Sequence, residues 1–455
     1  MPLYTNILGT EQYGIYSILV PISTILSTFM TLSSERAIFR LYYDYKTEIE
    51  INNFISTLFW SINIISFITL IILFIFGNRF TGYLGNIDYK TIFIPMILYT
   101  YLMSLVNFSQ IIMQTEEDGL KYFKVSILYL FLFNGITLLF LYFYSKSIHS
   151  LVYATLISNI LIIPYTFSSL RKRIKLIFIT QCLKDILKFS LPMFFMIVMS
   201  WIINTSDRYL VANYISLSDA GVYSLSLKFA SIITLFSGAI FQSYSPYFFR
   251  IVNTIEESLA KEKIAKVNEI ITFIICLMSL LLATVSRPII VVFFDSAYEK
   301  SFIYLCIVII GYMISQLTGF LNPMIYQNKK MLGLSICAIT ALFVNLFLNN
   351  LFLPIWGTIT SAYVNVITNI LLVVLTYFLA KRNYYISFKN VFKLLITAII
   401  TLIIINLNSV CFKNLWSILL YNSLCIFVWL LCTIKFNLID VSLIKQVIYL
   451  KKQSI

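Results

Sequence analysis

The chain has 455 residues, of which 60% are hydrophobic and only 11% charged. A soluble domain of that length needs a far more charged surface, so soluble classes of protein are excluded. The formal net charge of +14 would suggest nucleic acid in a soluble protein. In a chain this apolar it reads as topogenic, because basic residues gather on cytoplasmic loops and meet anionic lipid there.

Taken in order, apolar runs predict membrane helices at about 13–34, 54–77, 91–113, 122–144, 148–170, 189–212, 221–243, 268–286, 302–326, 331–353, 357–380, 392–410 and 415–434. Each is long enough to cross a bilayer core of roughly 30 Å. The runs do not alternate polar with apolar, which excludes a β-barrel. The longest connection is expected at 246–267, a polar stretch. Met1-Pro2-Leu3-Tyr4 lacks a basic n-region, so a cleavable signal peptide is not expected. Seven scattered cysteines form no CxxC or Cys/His cluster and read as small apolar residues.

Basic residues fall mainly in every second loop. One set of loops holds, among others, Arg36, Arg40, Lys121, Arg171, Lys172, Arg173, Arg250, Lys261, Lys329, Lys381 and Lys435. The other set holds only Arg79, Lys90, Lys146, Arg287, Lys300 and Lys413. The first set is expected to be cytoplasmic, together with the C-terminus.

The chain repeats itself. Gly9-Thr10-Glu11-Gln12-Tyr13-Gly14-Ile15-Tyr16-Ser17 returns as Ser216-Leu217-Ser218-Asp219-Ala220-Gly221-Val222-Tyr223-Ser224, with Gly221 lying 207 positions beyond Gly14. Further on, Ser158-Asn159-Ile160-Leu161 matches Thr368-Asn369-Ile370-Leu371. The expected fold is an all-α polytopic membrane protein with two six-helix lobes related as parallel repeats, plus two C-terminal helices. The lobes are expected at 1–175 and 176–383, with the extra helices and a tail at 384–455. Where the second half has a helix at about 189–212, the first half has only Met1 to Thr5. The first lobe is therefore expected to lack most of its first helix.

The helix after each repeated motif carries a polar stripe. In the second half it runs through Ser224, Lys228, Ser231, Leu235, Gly238 and Gln242; in the first, through Ser17, Pro21, Thr24, Thr28, Thr31 and Glu35. Spacings of three and four place each set on one face. Small polar residues on such a face either pack helices or line a cavity. Lys228 is different, since an unpaired charge within a membrane helix costs at least about 2.5 kcal/mol and calls for water or an anion. Asp207 and Arg208 sit near the outer end of the preceding helix. There they are either an interfacial pair near headgroups, or Arg208 faces a cavity to hold a phosphate. Glu35, Arg36 and Arg40 stand at the inner end of the first striped helix, as membrane anchors or as an anion-attracting mouth. His149 is the only histidine and lies at a helix start. Asn134, Asn159, Asn345 and Asn369 form either a hydrogen-bonded seam or a cavity lining.

No GxxxxGK[ST], HExxH or GxSxG pattern occurs. No catalytic residue, metal ligand or cofactor is expected, and the pattern favours a secondary transporter over a pump or hydrolase. These residues resemble a family. Leu3 to Ser17, Leu187-Lys188-Phe189-Ser190-Leu191-Pro192, Asp207-Arg208-Tyr209 and Gly221-Val222-Tyr223-Ser224 look like the corresponding stretches of bacterial polysaccharide (O-antigen type) flippases. Those belong to the multidrug/oligosaccharidyl-lipid/polysaccharide exporter superfamily.

The resemblance implies two lobes around a central cavity and a polyprenyl-pyrophosphate-linked oligosaccharide as substrate. It implies movement of that substrate from the inner to the outer leaflet of a bacterial cell membrane, with lipid as a partner and a polysaccharide polymerase and glycosyltransferases nearby. Such transport would serve O-antigen, capsule or lipopolysaccharide synthesis. Lys228, Arg208, Arg36 and Arg40 are the candidate cations for the pyrophosphate. Asp207, Glu35, Ser224, Ser231, Gln242, Ser17, Thr24 and Thr31 are candidates for lining the cavity or for coupling to an H+ or Na+ gradient. The alternatives are a multidrug exporter of the same architecture, a membrane-embedded polymerase or glycosyltransferase, and a non-transporting scaffold.

Overall fold

The computed structural model describes residues 2–83, 88–116, 118–168, 170–327, 331–381, 386–411, 414–436 and 438. Among these there is no strand. The helices in order are α1 (Pro2–Thr31), a short α2 (Ile38–Leu41), α3 (Glu48–Tyr83), α4 (Ile94–Thr115), α5 (Gly119–Phe143), α6 (Ile148–Phe167), α7 (Thr180–Tyr214) and α8 (Leu217–Thr254). They continue as α9 (Glu257–Phe293), α10 (Ser301–Ser315), α11 (Thr318–Gln327), α12 (Met331–Trp356), α13 (Ile359–Lys381), α14 (Lys389–Cys411) and α15 (Leu415–Lys435). Twelve spans among the described residues are long and apolar enough to cross a membrane. The protein is a multi-pass helical membrane protein.

Two expectations are corrected. The stretch 246–267 is not a loop, because α8 runs on to Thr254 and α9 begins at Glu257. Its polar residues are the solvated ends of two long helices. Ion pairs one turn apart, Lys261–Glu257 at 2.6 Å and Lys266–Glu262 at 2.9 Å, support α9 where it is most polar. The helix expected at 302–326 is broken between α10 and α11. Around the break, side chains take over backbone acceptors: Gln316 Nε2 donates to the Tyr312 carbonyl at 2.9 Å, and Thr318 Oγ1 to that of Ser315 at 2.7 Å. Such bonds bend and interrupt helices.

By backbone proximity the chain divides into two compact units, Leu3–Gly221 and Val222–Ile455. Within the first, α6 packs against α4 and α5, and α7 against α3. One core joins α1, α4 and α6 through Ile18, Leu19, Ile22, Met96, Ile97, Leu151 and Val152. A second joins α3 and α4 with Ala37 and Ile38. At that end Arg173 pairs with Glu116, which also accepts from the Tyr42 hydroxyl at 2.9 Å, while Arg173 Nε donates to Asn52 at 3.0 Å. Burial disfavours the Arg173 cation, but its bonds to Glu116 and Tyr42 outweigh this and hold its pKa above the ordinary value.

Within the second unit, α13 packs against α10, α11 and α12. This is the same pairing that α6 makes with α4 and α5, so the repeat read in the sequence is also a repeat of packing. α14 and α15 pack on α9. There the Trp429 ring stacks on Phe273 at 5.4 Å, and its Nε1 donates to Thr397 at 3.2 Å.

Candidate functional site

The first unit holds a cavity of about 320 Å³ between α1 and α7. Its walls are Ile18, Ile22, Ile25 and Leu26 from α1, and Trp201, Ile202, Thr205, Ser206, Arg208 and Tyr209 from α7. The α1 contribution follows from spacing, since residues three and four apart share a face. Trp201 ties the helices together by donating Nε1 to the Pro21 carbonyl at 2.7 Å, and Phe29 meets Phe194 edge-on at 5.0 Å.

Arg208 is the one charged residue on this wall. It is half-buried, and its Nε is enclosed without a hydrogen-bond partner among the described residues. A guanidinium offers five donors in a fixed fork, so an unused buried donor beside a cavity is suited to an anion. Asp207, its neighbour, is buried and engaged within the protein. The cavity therefore combines a long apolar wall with one permanent cation.

The polar stripes divide on inspection. Ser17 bonds the Gly14 carbonyl at 2.7 Å, Thr24 that of Val20 at 3.0 Å, and Ser231 that of Lys228 at 2.7 Å. These hydroxyls are satisfied by their own helices. Thr31 is buried and accepts from the Ser33 amide at 3.2 Å. Ser224 is fully buried, and its hydroxyl lacks a partner among the described residues. Lys228 is half-buried in α8 and engaged within the protein, whereas Gln242 is exposed.

Arg36 is exposed, and the Arg40 side chain lies outside the described residues. Glu35 follows two residues in the left-handed region, Leu32 (φ 47°) and Ser33 (φ 56°), a conformation that non-glycine residues rarely adopt. One of its oxygens, Oε2, is buried without a hydrogen-bond partner among the described residues. Burial pushes its carboxyl above the usual carboxylate range; the Thr31 hydroxyl, its own backbone N–H and Arg36 act the other way.

The repeated glycines lie against each other. A Cβ on Gly14 would stand 1.8 Å from the Leu217 carbonyl oxygen, and one on Gly221 would stand 2.4 Å from that of Thr10. Thr10 and Ser218 share a hydroxyl hydrogen bond of 2.7 Å beside them. The shared motif is thus a backbone-to-backbone contact between α1 and the start of α8. Gly9 breaks α1 with φ 72° and ψ 176°, a region open essentially to glycine.

His149 is held on both ring nitrogens, by Ser147 at 3.0 Å and Thr91 at 3.1 Å. The asparagines form seams. In the second unit, Ser361 donates to Asn349 at 2.8 Å, Asn349 to Asn345 at 3.2 Å and Asn345 to Thr368 at 3.4 Å. In the first, Asn159 donates to the Thr155 carbonyl at 2.8 Å and the Tyr129 hydroxyl at 3.4 Å. Sequence reasoning found Arg208 but missed the rest of its cavity. Trp201, two turns before Arg208 on α7, was the available signal, since it shares the arginine's face.

The chain is thus a multi-pass helical membrane protein with an internal repeat and a largely apolar cavity that carries one cation. The chain belongs to the polysaccharide biosynthesis protein family, whose sequence model matches residues 4–303. Its fold is shared by solved structures of a flippase and of multidrug transporters. Among solved structures it resembles the lipid II flippase MurJ in an inward closed conformation, with a TM-score of 0.70 at 18% identity over 94% of this chain and 93% of that one. It also resembles an inward-facing multidrug resistance MATE transporter of the MOP superfamily, with a TM-score of 0.66 at 12% identity over 84% and 92%. A Vibrio cholerae MATE transporter matches with a TM-score of 0.54 at 13% identity over 80% and 85%. These solved structures are of a flippase and of multidrug transporters. No curated protein matches the chain.

Proposed function

We propose that this protein is a flippase. It moves polyprenyl-pyrophosphate-linked oligosaccharide repeat units from the cytoplasmic to the outer leaflet of a bacterial cell membrane, for surface polysaccharide synthesis. The observation that carries this reading is Arg208, a cation with an unpartnered buried donor in the wall of a largely apolar and otherwise uncharged cavity. A pyrophosphate attached to a hydrocarbon chain needs both features together. In a low-dielectric cavity the phosphate–guanidinium attraction is far stronger than in water. Lys228 and Arg36 are further candidate cations for the pyrophosphate, each within its own unit. Alternating access would carry the headgroup across while the polyprenyl tail stays in lipid. The gathering of basic residues in alternate loops supports a cytoplasmic C-terminus. Glu35, at the end of α1 and with a raised pKa, is the candidate for coupling to a proton gradient. Glycosyltransferases would supply the substrate, and a polymerase would consume it.

The test is a deletion strain complemented with the wild type, Arg208→Ala, Lys228→Ala and the double variant. We expect wild-type surface polysaccharide to fall roughly tenfold or more in Arg208→Ala, with lipid-linked repeat units accumulating, given the worth of a charge-assisted bond. Unchanged polysaccharide in all three variants would remove the cationic site. The likeness to multidrug transporters keeps a second reading open. It predicts instead that deletion raises sensitivity to amphipathic cations and leaves polysaccharide intact.

A further inference from the structure

The second unit has another cavity, of about 300 Å³, where α9 ends and α10 begins. Arg287 and Lys300 stand on its wall with a single acid, Glu299. Arg287 is half-buried and its guanidinium carbon lies 5.8 Å from the centre of the Phe302 ring. Its Nη1 is enclosed without a hydrogen-bond partner, and Arg287 forms no ion pair within 4 Å among the described residues. Between Lys300 and Phe302, the hydroxyl of fully buried Ser301 is also unpartnered. Two cations against one acid, with donors left unused, leave the cavity anion-seeking.

The remaining wall is apolar, formed by Ile290, Val291 and Ile303. Val291 is 38% and Ile303 42% exposed. On helices that cross a membrane, such exposed apolar side chains face lipid. Arg287 stands six residues before the end of α9, which the polar turn Asp295–Ser296 follows. The loop with this place in the first half carries Arg79 and Lys90, both exposed, so the enclosed form belongs to the second unit.

We propose that this cavity is a binding site for an anionic phospholipid of the bilayer. Its phosphodiester sits on Arg287 and Lys300, and its acyl chains lie along Ile290, Val291 and Ile303. The proposal is independent of what the protein transports.

The test is native mass spectrometry of the purified full chain with phosphatidylglycerol or phosphatidylcholine, alongside thermal melting with each lipid. The wild type and Arg79→Ala should bind phosphatidylglycerol about tenfold more tightly than Arg287→Ala/Lys300→Ala. Only the first two should melt higher in its presence. Lys300→Ala alone, which leaves the enclosed arginine in place, should show an intermediate loss and serves if the double variant does not fold. Equal phosphatidylglycerol binding by wild type and variants would overturn the proposal. So would equal binding of phosphatidylcholine, or full competition by inorganic phosphate, which would mark a site for a soluble anion.

Discussion

Arg208 brings a planar guanidinium to the wall of a cavity that is otherwise apolar or uncharged. Glu35 is the opposite case, a carboxylate whose charge its surroundings disfavour. The sign of its linkage follows. With its pKa raised on folding, the folded state binds the proton more tightly than the unfolded state, so Glu35 costs stability as pH rises from the ordinary carboxylate value of about 4.3. Glu35→Gln should therefore melt higher than wild type near neutral pH and lose part of the fall in melting temperature between acid and neutral pH. A variant that melts lower than wild type at every pH would contradict this. At this scale the sequence separated charges from apolar residues well. It did not separate polar residues with work left to do from those already satisfied. Ser17, Thr24 and Ser231 bond carbonyls three or four residues back on their own helices, an option open to any helical Ser or Thr and invisible to spacing.

At the scale of elements, the Gly14–Gly221 approach is the most sterically demanding contact in the shared motif. The atom a new Cβ at Gly14 would strike is a backbone carbonyl, which cannot swing aside. Gly14→Ala should cost about 1–3 kcal/mol, as overpacking does, and lower the melting temperature by several degrees. Unchanged melting would mean that α1 and the start of α8 separate freely. The helices themselves were legible because twenty-residue apolar runs have few alternatives in a membrane. The errors lay where a helix leaves the apolar layer. Lys261, Lys266, Glu257 and Glu262 read as loop by polarity, yet they form one-turn ion pairs on a continuing helix. The break after Ser315 was hidden for the converse reason. Gln316 and Thr318 sit in a run apolar enough to span, while their side chains interrupt it.

Across the whole molecule, the repeat was legible in the sequence because its glycines and asparagines serve backbone contacts and buried hydrogen bonds. Asn159 and Asn345 lie in corresponding seams within their own units. The cavity was not legible as a whole, since its wall draws on residues some 180 positions apart, as the Trp201–Pro21 bond shows. A flippase for a lipid-linked anion must move it across a defined membrane on its own. The purified protein would be placed in proteoliposomes with a polyprenyl-pyrophosphate-linked oligosaccharide, and its arrival in the opposite leaflet read by a membrane-impermeant glycan-modifying enzyme. Translocation is expected from the wild type, about tenfold slower for Arg208→Ala, with no movement of an amphipathic cation such as ethidium. Absence of lipid translocation together with export of the cation would contradict a flippase function.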